Sequence, residues 1–205
     1  ACGDQALADR CARHVGVDEL RDADLGIDGF NLLMTVEAAL SQAIIIVGRD
    51  GCYRDMASVH GTFRLVHETL PALTLIGDHL AVAGPARIVC FLDSPVSNSG
   101  RLASRIRQTA ADQNWDWDVQ LVTDPDAALR KSDLVVVSAD SVVLDDCNRW
   151  FNAGRRIIEA SVGDACLVPM SAQNQPNNLP HPATETDDAA PGGGQGIGDL
   201  PAEDQ

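Results

Sequence analysis

Three separate apolar runs in this chain stop on an aspartate: LGID at Asp28, IVCFLD at Asp93 and LVVVSAD at Asp140. The runs are short and rich in Val, Ile and Leu, and helix-length amphipathic stretches lie between them. That alternation is the pattern of a parallel sheet joined by crossover helices. It predicts an α/β fold with a parallel sheet in a three-layer αβα arrangement. Strands are expected over Leu25 to Asp28, Ala43 to Val47, Arg87 to Asp93, Asp118 to Val122, Asp133 to Ser138 and Arg155 to Glu159. The AIIIV run at Ala43 to Val47 reads either as an edge hairpin or as a central strand. Helices are expected over Asn31 to Ser41, over Tyr53 to Ala83 with a break near Gly61 or Pro71, over Ser97 to Gln113, over Pro125 to Lys131 and over Ser141 to Asn152.

The core domain is expected over residues 25–165. The opening ACGDQALADRCARHV reads as the end of something helical, so residues 1–24 are taken as a short helical N-terminal remnant of a truncated segment. From Ser171 the composition shifts to Gln, Asn, Pro and Gly with six acids and no Lys or Arg, which predicts a disordered acidic C-terminal tail over 171–205.

Charge narrows the function. The formal net charge is -15, the acids are 24 Asp and 6 Glu, and Lys131 is the only lysine. Such a surface suits solubility in high salt, where repulsion is screened over about 3 Å at 1 M; the reading is halophile-like. It also argues against non-specific duplex DNA binding, which needs basic residues to displace counterions. Six cysteines show no CxxC pair and read as reduced thiols of a cytoplasmic protein. No apolar run is long enough to span a membrane. The chain has no GxGxxG, GxxxxGK[ST] or GxSxG, which removes the entry points for a dinucleotide cofactor, P-loop ATP hydrolysis and esterase chemistry.

In an open parallel sheet, ligands bind beyond the carboxyl ends of the strands. Three strands delivering Asp28, Asp93 and Asp140 to one edge would place carboxylates together, and their mutual repulsion is relieved by a hard divalent cation, Mg²⁺ or Mn²⁺. The bland alternative for any one of them is a helix N-cap.

Two blocks carry a resemblance. IDGFNLL resembles the opening motif of PIN-like and NYN nuclease domains, and VVSADSVVLD is similar to their late Ser-x-Asp segment. GRDGCYRDMASVHGTFR together with DSPVSNSGRL resembles an uncharacterised archaeal and bacterial domain-of-unknown-function family, over roughly residues 25–160. The resemblance implies a PIN-like fold, Asp28 and Asp140 as metal ligands with Asn31 and Ser138 in support, and Asp93 as a third acid outside the common pattern. It leaves the fourth acid between Asp145 and Glu37.

Read from its own residues, GRDGCYRD sets Arg49, Asp50, Arg54 and Asp55 in a Gly-rich loop. These charges either meet substrate phosphate or pair internally. Ser97, Asn98 and Ser99 can open a helix that carries Arg101 and Arg105 four apart, a second phosphate cradle. Trp115 and Trp117 read as stacking on bases or as covering a helix–strand corner. The expected activity is a Mg²⁺- or Mn²⁺-dependent endoribonuclease with RNA as partner. The alternatives are a catalytically silent nucleotide, RNA or protein binding module and a small-molecule phosphatase. The sequence leaves a homodimer open.

Overall fold

A computed structural model describes residues 3–56 and 62–170. The larger sheet has the order β5-β4-β1-β6, with β1 at Asp24–Asp28, β4 at Arg87–Asp93, β5 at Trp117–Val122 and β6 at Val135–Val137. Every pairing within it is parallel. In register, Ile27 lies opposite both Cys90 and Val137, so Asp28 and Ser138 each stand one residue beyond that level. Isolated parallel bridges continue the β6 edge through Trp150 to His14.

Side chains that alternate along β4 divide the core between the two faces of this sheet. Ile88, Cys90 and Leu92 join one apolar cluster, and Val89 and Phe91 join another. The first cluster includes residues of α2 (Gly29–Leu40), α3 (Thr69–Ala83), α4 (Ser99–Gln113) and α7 (Ala153–Ser161). The second includes residues of α5 (Pro125–Arg130) and α6 (Ser141–Asp146). The result is a parallel α/β sheet flanked by helices, compatible with three layers. Close approach sets the entry to α2. A Cβ on Gly29 would stand 2.6 Å from Leu92 and 2.9 Å from the Phe91 carbonyl, so the turn after Asp28 admits only glycine without repacking.

Three expectations are corrected. Arg155 to Glu159 is part of the helix α7: the Asn152 side chain caps it at the Arg155 amide, and Ala153, Ile157 and Ile158 bury one helical face. Tyr53 to Ala83 is not helical throughout. β3 (Tyr53–Asp55) pairs antiparallel with β2 (Ile45–Val47), and α3 starts at Thr69 and takes Pro71 into its first turn, where no amide is missed. β2 is the centre of a second sheet of order β3-β2-β7, with β7 at Leu167–Pro169, an element the sequence reading lacked. Trp115 and Trp117 stack at 5.6 Å, and Trp115 packs over Gly77 of α3, which assigns the pair to a helix–strand corner.

The N-terminal segment is tied into the fold. α1 (Asp4–Arg13) carries Arg10, which is 2% exposed, and the Trp150 indole donates to the Arg10 carbonyl at 2.8 Å. Cys11, Cys52, Cys90, Cys147 and Cys166 are free thiols. Residues 171–205, expected to be disordered, and Cys2 lie outside the described residues. No helix among the described residues is long and apolar enough to cross a membrane.

Candidate functional site

The three strand-terminal aspartates lie along the carboxyl edge of β4, β1 and β6, which are neighbours in the sheet. Asp28 is 9% exposed, caps α2 through the Asn31 amide at 3.3 Å, and accepts the Ser138 hydroxyl at 3.0 Å. The same Ser138 oxygen accepts the Asp140 amide at 3.0 Å. One hydroxyl thus joins the first and last acids of the edge. Asn31 reaches across from α2, its Oδ1 accepting the Ala139 amide at 2.8 Å, and this fixes α2 to the turn after β6. Asp140 caps α6 through the amides of Val142 and Val143.

The electrostatics show what this edge lacks. Burial, aided by the charges of Asp126 and Asp140, pushes the Asp28 carboxyl up to about 7 against the hydrogen bonds from Asn31 and Ser138. Asp126 is raised by burial and by Asp140, Asp124 and Asp93, with only Arg130 opposing. Asp93 is raised by burial and by Asp124. The cluster therefore holds five acids, and Asp124 and Asp126 are additions to the sequence reading. Asp124 caps α5 through the Ala127 amide at 2.8 Å. The signal was present in VQLVTDPD, a fourth strand end followed by acids. The Asp93 and Asp126 carboxylates accept no hydrogen bond among the described residues. Also among these residues, no group of three or more His, Cys, Asp or Glu is arranged to hold a metal ion.

The expected phosphate loop is built differently. Asp50 is almost fully enclosed and accepts Arg10 at 2.5 Å and both terminal nitrogens of Arg54, at 2.9 and 2.7 Å. Burial alone would raise its pKa, but the Arg54 contacts, the Cys52 amide and Arg10 outweigh burial and hold it at about 2. Arg10 also binds Asp145 at 2.7 Å. Asp50, Arg54 and Asp145 are thus joined with Arg10 in one ion-pair network, the internal pairing that the loop's charges also allowed. The network still touches the edge, because Arg54 Nε donates to the Ala139 carbonyl at 2.7 Å.

The remaining expected residues are scattered. Arg49 pairs with Asp4 at 2.6 Å on the surface. Asp55 accepts the Thr35 hydroxyl at 3.1 Å. Glu37 is raised by burial, with the Thr69 hydrogen bond opposing; its charged neighbours are Glu68 and Asp55 and none of the edge acids. Asn98 adopts a left-handed φ of 70° and donates its side-chain amide to the Phe63 carbonyl, so it pins a loop. Ser97 bridges to Thr62, and Ser99 is buried. Arg101 and Arg105 are exposed and line an open groove of about 700 Å³ with Ser104, Gln108 and Leu65.

A family model described as a domain of unknown function (DUF5616) matches residues 17–156, which include every strand of the larger sheet and all five edge acids. The chain belongs to that family. It is also similar to an uncharacterized protein of Methanocaldococcus jannaschii, MJ0935, at 32% identity over 122 residues, covering 60% of this chain and 58% of the relative. The chain thus spans less than two thirds of that relative's length. No solved structure matches.

Proposed function

We propose that this DUF5616 chain is a PIN-like, divalent-metal-dependent endoribonuclease acting at the carboxyl edge of the sheet. The observation that carries the reading is the convergence of Asp28, Asp93 and Asp140 from three neighbouring parallel strands, with Asp126 added from α5, in a cluster whose acids raise one another. The donor set fits Mg²⁺ or Mn²⁺ in chemistry, since it is all oxygen and short of positive charge. Asp28, Asp93, Asp126 and Asp140 would hold the ion. The Asp93 and Asp126 side chains, which no hydrogen bond restrains, are the ones able to close on it. When bound, the ion lowers the pKa of a water and neutralises charge on the phosphoryl group.

The chain's own residues supply position. Ser138 and Asn31 fix the Asp28 carboxylate and the Ala139–Asp140 turn. Arg101 and Arg105 are the expected phosphate contacts that face solvent, on the helix that follows Asp93, and they suit the backbone of an RNA strand.

The test is cleavage of a labelled single-stranded RNA with Mn²⁺ by the wild type, Asp28→Asn and Asp140→Asn. The expected result is at least about a hundredfold loss in each variant, with the circular dichroism spectrum retained. Undiminished cleavage by both would remove the mechanism. A second reading, a catalytically silent RNA-binding module, is favoured by the finding that no three acids among the described residues are arranged to hold a metal ion. RNA binding that is equal with and without Mn²⁺, and no turnover, would establish it.

A further inference from the structure

A second concavity lies away from the acidic edge, between the N-terminal segment and α7. Its volume is about 770 Å³, within the range of small-molecule sites, and Trp150 and Phe151 lie at its base. Both acids that line it are already neutralised. Asp50 is held by Arg10 and Arg54, and Glu159 accepts Arg155 at 2.9 Å and the Tyr53 hydroxyl at 2.9 Å. Of the basic groups that line it, Arg155 is taken by Glu159 and His79 by the Ser161 hydroxyl, which leaves Arg156 and His14. Arg156 makes no ion pair among the described residues, and the His14 ring, set edge-on to Trp150 at 4.7 Å, makes no side-chain hydrogen bond among them. In a chain of net charge -15, a concavity with a cationic remainder marks a place for an anion.

We propose that this groove binds a nucleoside monophosphate, with Arg156 and His14 receiving the phosphate and the wall of Val17, Phe151 and Ala160 covering the nucleoside. A guanidinium presents a planar fork that matches phosphate oxygens. A phosphate alone would leave most of the volume empty, and the apolar wall suits a flat, weakly polar group. The site stands apart from the nuclease reading and uses none of its residues.

The experiment is calorimetric titration of the full chain with adenosine 5′-monophosphate, inorganic phosphate and adenosine. The expected result is saturable one-to-one binding of the monophosphate, with phosphate and adenosine each weaker. Arg156→Glu should weaken the monophosphate by about tenfold or more, since charged hydrogen bonds to phosphate are lost, and His14→Ala by several-fold through loss of a ring N–H donor, burial holding the imidazole toward its neutral form. Arg156 is exposed, so its variant keeps the fold, which circular dichroism checks. The double variant Asp28→Asn/Asp140→Asn should bind as the wild type does. No saturable binding at millimolar concentration would overturn the proposal, as would equal affinity in both groove variants. Loss of binding in the acidic-edge variant would move the ligand to the other site. Phosphate binding as tightly as the monophosphate would remove the nucleoside from it.

Discussion

The carboxyl edge of the large sheet and the loop behind it are both rich in aspartate, yet they handle charge in opposite ways. At the edge, Asp28, Asp93 and Asp126 are all raised, and among the described residues Arg130 is the one cation that opposes this, at Asp126. In the loop, the Asp50 side chain is enclosed together with its partners and is held down at about 2, because two guanidinium groups surround it. Burial acts in the same direction on both. The difference lies in what was buried with the carboxylate. An acid buried with its counter-charge is structure, whereas acids gathered without one repel one another and are pushed toward their protonated form.

The comparison breaks most readily at Asp50. Asp50→Asn removes the carboxylate that buried Arg10 shares with Arg54, leaving Arg10 with Asp145, and should cost about 3 kcal/mol, measured by urea unfolding. A cost under about 1 kcal/mol would mean the network is ornamental. Asp28→Asn should do the reverse. Asp28 titrates near 7 when folded against 3.8 in the reference state, so the folded protein keeps a proton that the unfolded chain has lost between those values. Stability therefore falls as pH rises from about 4 to 7, by at most about 4 kcal/mol at 1.36 kcal/mol per unit. The asparagine variant, which keeps the cap, should be more stable than wild type by about 2 kcal/mol at pH 8 in chelator, with the gain vanishing near pH 4. A lower melting temperature than wild type at pH 8 would show that the ionised carboxylate is welcome there. Ser138→Ala removes the hydroxyl shared by Asp28 and Asp140 and should cost about 1–2 kcal/mol. Arg49→Ala, at the surface pair with Asp4, should stay within about 0.5 kcal/mol; a larger loss would extend the buried network to the surface.

Much of the fold could be read because β1, β4 and β6 are buried on both faces and so appear as unbroken apolar runs. The Arg87–Asp93 strand matches its expected limits for that reason. The Arg155 to Glu159 segment misled because two adjacent isoleucines mimic a strand, while the deciding feature, the Asn152 cap, lies outside the run. β7 is exposed throughout and borrows its order from β2, so no periodicity announces it. At the site, Asp28, Asn31, Ser138 and Asp140 were legible since local sequence puts them at strand ends and helix starts. The fate of Asp50 was not, because its partner Arg10 is 40 residues away in the chain and Arg10 binds a second acid 135 residues from it. Asp124 and Asp126 could have been found by applying the strand-end rule to β5 as it was applied to the other three.

The backbone of Ala139 is gripped on both sides of its Cα: its amide is held by Asn31 of α2, and its carbonyl by Arg54 of the ion-paired loop. For anyone wishing to re-engineer this edge, that residue is the fixed datum. Asp93 and Asp126 can be exchanged to suit another ion or ligand while the frame stays put. A change as remote as Arg10 in the first helix would instead shift the ruler against which every other distance at the edge is measured.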